Sequence, residues 1–445
     1  AVGIVRVRHS QPVTTVSISG GETVQDARNV QFQTNISSVT GAVPQSGSWQ
    51  GNWLIAQKQI SLDIWSYAKK ISDNFSFYLG MLLDNCFDIK QGDVNATLLN
   101  PLRLGPERGN FYAGDVAIYK GEDMKLYAPL PPSPSDWAKS PGSTSNREVA
   151  GIARVLENLK HIDGKQYGIV LRQVARLNTR ERLIASWFER ESKSPLAFTN
   201  ELWRMMLKPD IAVENGKALL ALLSSKTIVY LINLFSTNNH VSKDELVRVP
   251  IPDPQTLPIA QLSDLANRLL AVRGSLERDF VERYHAVLPE FEAGTVYIPP
   301  STVLAASRVP KLTIQALVGR GEVRNTGQTN GRIRTLRTRN IVSTIGPSRA
   351  YATSFSEILN LFLYEPGREE ETWSQAQNWT LPDPVASAQW LSSYRQLMQQ
   401  AQQQWETFLA LQQQVDEAIA DWYGFDEPMR TAISQGLPWA QRRRV

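Results

Sequence analysis

The chain has 445 residues, 42% of them hydrophobic and 20% charged, which is the composition of a globular protein with room for two or three domains. Its single cysteine, Cys86, excludes a disulfide framework and favours a reducing cytoplasm. The net charge of +4 is too small for this length to indicate a polyanionic partner by itself, and no run of about 18 apolar residues predicts a membrane helix.

The amino-terminal part of the chain predicts strands before it predicts a helix. Residues 2–8 alternate in the manner of a strand, and Pro12–Ser19 is a second β-prone run. We interpret residues 1–50 as an opening β segment, and the abrupt start without Met is typical of a piece of a longer protein. A helix is predicted over Asp63–Lys70.

The run from Tyr167 to Phe188 predicts a β-hairpin that carries arginines among its apolar residues. Two of them, Arg172 and Arg176, share a parity along the first strand and therefore a face. Planar guanidinium groups match phosphate oxygens and the edge of guanine, so arginines on a rigid strand pair favour a nucleic-acid surface over structural ion pairs, which are the alternative. The candidate DNA-contacting residues of the hairpin are Arg172, Arg176, Asn178, Arg180 and Arg182.

Two long amphipathic helices are predicted in the last third of the chain. Apolar residues recur at spacings of three or four from Ile259 to Phe280 and again from Trp390 to Trp422. The glutamines at 399–404 and 412–414 are expected on the exposed side of the second helix. Packing of both helices within their own domain is favoured over pairing between subunits.

Between these helices, residues 320–339 contain six arginines and one acidic residue, Glu322. Strands are predicted at Leu312–Val318 and Gly331–Val342. A basic strand beside a polar loop favours a nucleic-acid groove, and a solvated basic face is the alternative. The candidates on this second surface are Arg332, Arg334, Arg337 and Arg339.

Three ordered blocks resemble the target-recognition region of type II N6-adenine DNA methyltransferases and fused restriction–modification enzymes. The first is YGIVLRQVARLNTRERLIASWF at 167–188, the second is the helix-like ENGKALLALLSSKTIVYLI at 214–232, and the third is HVSKDELVRVPIP at 240–252. Residues 82–95 and 111–121 are similar to earlier blocks of the same region. One position departs from the family pattern, because Glu181 stands where an arginine is usual.

The resemblance implies a mixed α/β (α+β) fold and a role in recognising double-stranded DNA. Lys90 and Asn95, in the strand and loop at 82–95, are further candidate DNA contacts. The expected partners are a methyltransferase catalytic domain or subunit, with a nuclease subunit as a further candidate. S-adenosylmethionine is expected only in that catalytic domain or partner, and residues 1–50 would be the end of such a domain.

The expected organisation combines the resemblance with the helical patterns, because specificity subunits of restriction systems use similar helices as spacers. It comprises a target-recognition domain at 51–255, a spacer helix at 256–288, a second basic, DNA-facing module at 289–384, and a carboxy-terminal long helix with its tail at 385–445.

Two other functions stay open at this point. The Asn/Asp-Pro-Pro-Tyr/Phe motif of an adenine methyltransferase, which holds the flipped base, does not occur in the sequence. A cryptic nuclease would have to use Asp210, Glu214 and Lys217, but their spacing differs from that of restriction nucleases and an acid at a helix start is ordinary. A specificity-like scaffold that binds methyltransferase or nuclease subunits is the other alternative.

Overall fold

The structure is a computed structural model, and it combines helices and strands in an α+β arrangement. It describes residues 15–19, 31–35, 59–73, 76–95, 116–129, 137–138, 147–173, 183–235, 241–289, 294–314, 354–366, 378–383 and 386–436. The chain forms two compact units. Residues 1–270 and 411–445 make the first unit, and residues 271–410 make the second.

The first unit contains most of the strands. Its strands in chain order are β1 (Thr15–Ser19), β2 (Gln31–Asn35), β3 (Phe87–Gln91), β4 (Val116–Tyr119), β5 (Trp137–Ala138), β6 (Gln166–Arg172), β7 (Ala185–Arg190), β8 (Leu196–Phe198) and β9 (Leu202–Leu207). Its helices are α1 (Gln59–Ile71), α2 (Leu79–Cys86), α3 (Arg147–Leu159), α4 (Val213–Leu223), α5 (Lys226–Phe235) and α6 (Lys243–Val247). The predicted helix at 63–70 is confirmed within α1.

A four-stranded antiparallel sheet with the order β3-β9-β6-β7 forms the centre of this unit. A smaller sheet has the order β5-β4-β8, in which β4 and β8 run parallel. The predicted hairpin is confirmed for its strands, since β6 pairs antiparallel with β7 from Gln166–Arg190 to Leu171–Ala185. Strands β1 and β2 form a separate antiparallel pair.

The two sheets pack against each other through one face of the larger sheet. Val170, Phe188 and Leu202 from that face share a core cluster with Ala117 of β4 and Phe198 of β8. Alternation along β4 and β8 directs Val116, Ile118 and Ala197 the other way, where they form a core with Ile152 and Leu156 of α3. Strand β4 is therefore buried on both faces, which explains its continuous apolar sequence.

Helix α4 covers the opposite face of the larger sheet. A Cβ placed on Gly216 would lie 3.1 Å from the Trp187 ring and from Leu207 Cδ1, so glycine allows the helix to approach the strands closely. Buried side chains run from Gly216 to Leu223 along this helix. The apolar stretch that follows the turn at 208–212 is thus a core helix.

The helix expected over 214–232 is divided into two, which corrects the prediction. Helix α4 ends before Ser224, and α5 begins at Lys226 with a bend of 57° between the two axes. Ser225 Oγ accepts from Ile228 N and donates to Leu222 O, so one hydroxyl stabilises both helix ends. Similarly, residues 82–86 belong to α2, and the strand expected over 82–95 begins only at Phe87.

The loop after β4 carries a buried tyrosine in an unusual backbone conformation. Tyr127 has φ 72° and is fully buried. Its backbone N donates to Ala185 O at 2.9 Å and its carbonyl accepts from Trp187 N at 2.6 Å, so the loop attaches to β7. Its hydroxyl donates to Gln412 Oε1 at 2.8 Å, and burial raises its pKa well above the ordinary value.

The second unit is built mainly from helices. Its elements are the end of α7 (Ile259–Leu276), a π-helical segment (Glu277–Glu282), α8 (Pro300–Ala306), β10 (Lys311–Thr313), α9 (Ser354–Leu363), β11 (Thr380–Pro382) and the first part of α10 (Ser387–Tyr423). Strands β10 and β11 pair antiparallel. The strand expected over 312–318 is observed only to Thr313, and residues 315–353, which include the second expected strand at 331–342, lie outside the described part.

The two long predicted helices are confirmed as α7 and α10. In the second unit Tyr394 OH donates to Ile298 O at 2.8 Å, and in the first unit Tyr423 OH donates to Pro250 O at 2.8 Å. The apolar stripe of α10 is therefore buried within the chain, as expected from its spacing. The last helix, α11 (Glu427–Gln435), belongs to the first unit.

One glutamine of α10 corrects the expectation that the glutamine runs are exposed. Gln413 and Gln414 are exposed, but Gln412 is buried, accepts from Tyr127 and donates to Ser224 O at 3.2 Å and to Asp416 Oδ1. An amide can be buried here because its oxygen and its nitrogen both find partners.

Candidate functional site

One end of the four-stranded sheet brings together three of the predicted DNA-contacting residues. Here β3 and β6 end and β9 begins. Gly92 N donates to Leu202 O at 2.9 Å, and Gln173 N donates to Glu201 O at 3.1 Å. Residues 90–95, 172–173 and 200–202 therefore lie side by side, and we call this region the recognition edge.

Lys90 and Asn95 are both exposed at the recognition edge. Lys90 Nζ lies 2.8 Å from Asp88 Oδ2, two residues earlier on the same face of β3, and both side chains are more than half exposed. The hydrogen bond from Lys90 lowers the pKa of the Asp88 carboxyl. Ion pairs of this exposed kind contribute about 0–1 kcal/mol, so a phosphate could replace Asp88 as the partner of Lys90.

The loop between Lys90 and Asn95 is held closely against the turn that precedes β9. A Cβ at Gly92 would overlap the backbone of Thr199, so only glycine fits this approach. Asp93 N donates to Phe198 O at 2.7 Å, and Asn200 N donates to Val94 O at 2.9 Å. The loop is thus fixed by backbone hydrogen bonds on both sides.

A buried ion cluster lies directly under this loop. The Asp93 side chain is 4% exposed and binds two arginines, Arg204 of β9 and Arg190 of β7, the latter with Nη1 3.5 Å from Oδ2. Phe198 N donates to the same carboxylate at 3.1 Å, and Arg190 Nε donates to Gln166 Oε1 at 2.9 Å. This cluster connects the loop to β6, β7 and β9.

Two guanidinium groups face the Asp93 carboxylate in this cluster, and the charge of Arg204 also lowers the pKa of the nearby Asp88 carboxyl. Burial lowers the pKa of the Arg190 guanidinium, the charge of Asp93 raises it, and the neighbouring Arg204 lowers it. An arginine remains charged despite such a shift, because its ordinary pKa is above 12. The cluster is therefore an ionic network in which the two arginines lie near two carboxylates, the buried Asp93 and the exposed Asp88.

Arg172 lies at the end of β6 on the same face of the sheet as Arg190 and Arg204. It is half-buried. Its Cγ and the Glu201 carboxylate each lie 3.6 Å from the position that a Cβ on Gly121 would occupy. The stem of Arg172 thus packs between the loop after β4 and the acidic side chain of Glu201.

The third block of the family resemblance also meets this edge. Val241 N donates to Gln173 O at 2.8 Å, and Trp203 Nε1 donates to Val241 O at 3.2 Å. Beyond it, Ser242 caps α6 by accepting from Glu245 N at 3.1 Å, while the Glu245 carboxylate accepts from Ser242 N. The segments at 90–95, 166–173 and 241–247 therefore converge, although they are far apart in the sequence.

The remaining predicted contacts lie outside the described residues. These are Arg176, Asn178, Arg180 and Arg182 of the hairpin, and Arg332, Arg334, Arg337 and Arg339 of the basic stretch. Their roles stay predictions. The described residues on either side of the hairpin candidates are Gln173, which follows β6, and Leu183, which precedes β7.

The sequence reasoning missed four polar residues of this region: Gln91, Asp93, Arg190 and Arg204. The partners of Asp93 are 97 and 111 residues away, and a single sequence contains no signal that pairs them. A weaker signal was present for Arg190 and Arg204, because each stands in a strand-like run that contains large apolar residues. A charged residue in such a run predicts a buried partner.

The residues considered for a nuclease do not form a metal site. Lys217 Nζ donates to Asn267 Oδ1 at 2.6 Å and lies 5.9 Å from the centre of the Trp187 ring, while Asp210 and Glu214 are exposed. Throughout the described part of the chain, no group of three or more His, Cys, Asp or Glu side chains is placed to hold a metal ion.

Comparisons with known proteins add no assignment. No protein-family model matches the chain, and no curated protein matches it either. Among the described helices, no single one has the length and apolar composition needed to cross a membrane. The pair α4 and α5 meets those criteria only when its two bent halves are taken together, and both halves are largely buried inside the first unit.

Proposed function

We propose that this chain recognises a specific sequence of double-stranded DNA as the specificity region of an N6-adenine DNA methyltransferase or restriction–modification system that serves in phage defence. In this proposal residues 51–255 are the target-recognition domain and residues 289–384 are a second, basic, DNA-facing module. The chain acts in the cytoplasm with a methyltransferase catalytic domain or subunit, where S-adenosylmethionine is bound, and a nuclease subunit is a further candidate partner.

The observation that carries the proposal is the convergence at the recognition edge. Lys90 and Gln91 are exposed at the end of β3, and Asn95 is exposed in the loop that follows, which is fixed by backbone hydrogen bonds. Arg172 and Gln173, which precede the arginine-containing stretch 174–182 in the sequence, lie at the same edge. Cations supply phosphate affinity, and amides and arginines read base edges, so this set of groups suits sequence recognition.

The buried cluster around Asp93 supports the proposal because its connections to three strands hold the loop in place. Base recognition requires such rigidity, because a loosely held side chain loses its discrimination between similar partners.

Selection from a randomised duplex pool tests the proposal. The purified chain is incubated with the pool at several salt concentrations, and the retained duplexes are sequenced. We expect one motif to be enriched and to persist at moderate salt, because base contacts are less sensitive to salt than phosphate contacts. Arg268→Met on α7 is a suitable control, since it removes an exposed charge that pairs with Asp264, distant in sequence from the edge.

Two results would contradict the proposal. Binding without any enriched motif, which disappears as salt increases, would reduce the function to unspecific phosphate binding. Absence of binding, together with retention of a methyltransferase subunit in a pull-down without DNA, would establish the scaffold alternative instead.

A further inference from the structure

We propose that Gln91 is a base-reading residue that selects adenine in the major groove of the DNA target. The inference rests on the proposed function, and it adds a residue and a base to it. Gln91 is the last residue of β3, where it pairs with Trp203 of β9, and its side chain is exposed. It stands between Lys90 and Gly92, in the middle of the recognition edge.

The amide of Gln91 is already oriented. Its Nε2 donates to Asn200 O at 2.8 Å, which restrains the side chain. Among the described residues, no hydrogen-bond partner contacts its Oε1, and its second N–H is also unused. One N–H donor and one acceptor of an exposed amide therefore stay available for a base.

This pair of groups complements one base in particular. Adenine presents the N6 amino donor beside the N7 acceptor in the major groove, and a glutamine amide binds both at once. Guanine presents two acceptors there, cytosine a single amino donor, and thymine an acceptor beside a methyl group, so none of them satisfies both halves of the amide. A side-chain amide that is already restrained by a hydrogen bond also loses little conformational entropy on binding, which favours its use in base recognition.

The surroundings of Gln91 provide the rigidity and the positioning that base reading needs. Gly92 contacts the backbone of Thr199, and Asp93 binds Arg190 and Arg204 beneath the loop. Asn200, whose carbonyl orients the amide, is itself tied to the loop through its N–H to Val94 O. Lys90 precedes Gln91 and lies on the other face of β3, at its end, where it can contact a phosphate and thereby set the register of the edge on the duplex.

The test compares the enriched motif of the wild-type chain with those of Gln91→Ala and Gln91→Glu, using the same duplex pool. We expect Gln91→Ala to relax one adenine position and to lower the preference there by about 5- to 150-fold, with the rest of the motif unchanged. We expect Gln91→Glu to exchange that adenine for cytosine, because a carboxylate accepts from the cytosine N4 amino group and is repelled by adenine N7.

A matched control separates this role from a general effect of charge. Gln261→Glu changes an exposed glutamine of α7 in the same way and should leave the motif unchanged. Equal melting temperatures of the variants and wild type would show that the exposed substitution leaves the fold intact.

The failure of this inference differs from the failure of the proposed function. If the wild-type chain enriches a motif and Gln91→Ala enriches the same motif at every position, Gln91 does not read a base, while sequence recognition stands. A uniform loss of affinity for all duplexes would mean that Gln91 contacts the backbone, which also overturns the inference. If the wild-type chain enriches no motif, the proposed function and this inference fall together.

Discussion

Asp88 and Asp93 lie five residues apart in one strand and loop, yet the fold gives them opposite environments. Asp88 is exposed and forms an ion pair with the exposed Lys90. The Asp93 side chain is buried, forms ion pairs with two arginines and accepts a hydrogen bond from a backbone N–H. The difference shows that Asp93 fixes the conformation of this segment, while Asp88 forms an exposed ion pair that leaves Lys90 accessible. Local residue type alone therefore does not separate structural charges from functional ones.

The largest expected effect comes from removing the buried charge of Asp93. We expect Asp93→Asn to lower the free energy of unfolding of the first unit by about 3–5 kcal/mol, because two largely buried guanidinium groups lose their counter-charge. Chemical denaturation followed by tryptophan fluorescence measures the change. Asp88→Asn is the matched control and should change stability by less than about 1 kcal/mol.

A triple variant sharpens this prediction. Replacing Asp93, Arg190 and Arg204 together with apolar residues of similar size should recover most of the lost stability, because no charge then remains buried without a partner. A triple variant that is as unstable as Asp93→Asn would show that the cluster contributes more than the balance of its own charges.

The neutral buried hydrogen bond between Tyr127 and Gln412 should contribute less to the free energy of unfolding than the ion pairs of Asp93 do. We expect Tyr127→Phe to cost about 1–3 kcal/mol, because Gln412 Oε1 loses its donor while remaining buried. The measurement is again the free energy of unfolding. Tyr78→Phe is the control, since Tyr78 is 40% exposed and its hydroxyl has no need of a protein partner. Equal effects of the two substitutions would contradict the proposed importance of the Tyr127–Gln412 contact.

Much of the fold could be predicted because its signals are local. The spacing of apolar residues predicted α7 and α10, and the β-rich runs around 167–188 predicted the pairing of β6 with β7. The break between α4 and α5 was missed, because the two serines that end one helix and cap the next stand within a continuous apolar pattern.

The candidate site was less predictable, because its contacts are distant in sequence. Arg172 stays a predicted DNA contact, but the sequence did not indicate that its strand face also packs against the smaller sheet through Val170. Gln412 shows the same limit, since a glutamine in a polar run was expected in solvent and its buried partner is 285 residues away. Which side of a strand or helix becomes covered depends on the other layers, and their position is not encoded in local spacing.

The role of Lys90, the exposed partner of Asp88, can be tested through DNA binding. We expect Lys90→Met to weaken all duplexes alike and to reduce the slope of log affinity against log salt by about one unit, because one phosphate contact is lost. Titrations with matched and scrambled duplexes at several salt concentrations measure both quantities. Arg268→Met carries the same charge change on α7 and should leave the slope unchanged. Loss of preference for the matched duplex would instead place Lys90 at a base.

The smallest effect should come from releasing Lys90 from its present partner. We expect Asp88→Asn to tighten the binding of every duplex by less than about tenfold, because an exposed ion pair is worth at most about 1 kcal/mol and the released lysine can then meet a phosphate. Asp264→Asn on α7 changes the net charge identically and breaks a similar exposed pair, which Asp264 forms with Arg268. Equal gains from the two variants would attribute the effect to net charge alone. A larger gain for Asp88→Asn would show that DNA and Asp88 compete for Lys90, and that the exposed pair keeps this cation in place until DNA binds.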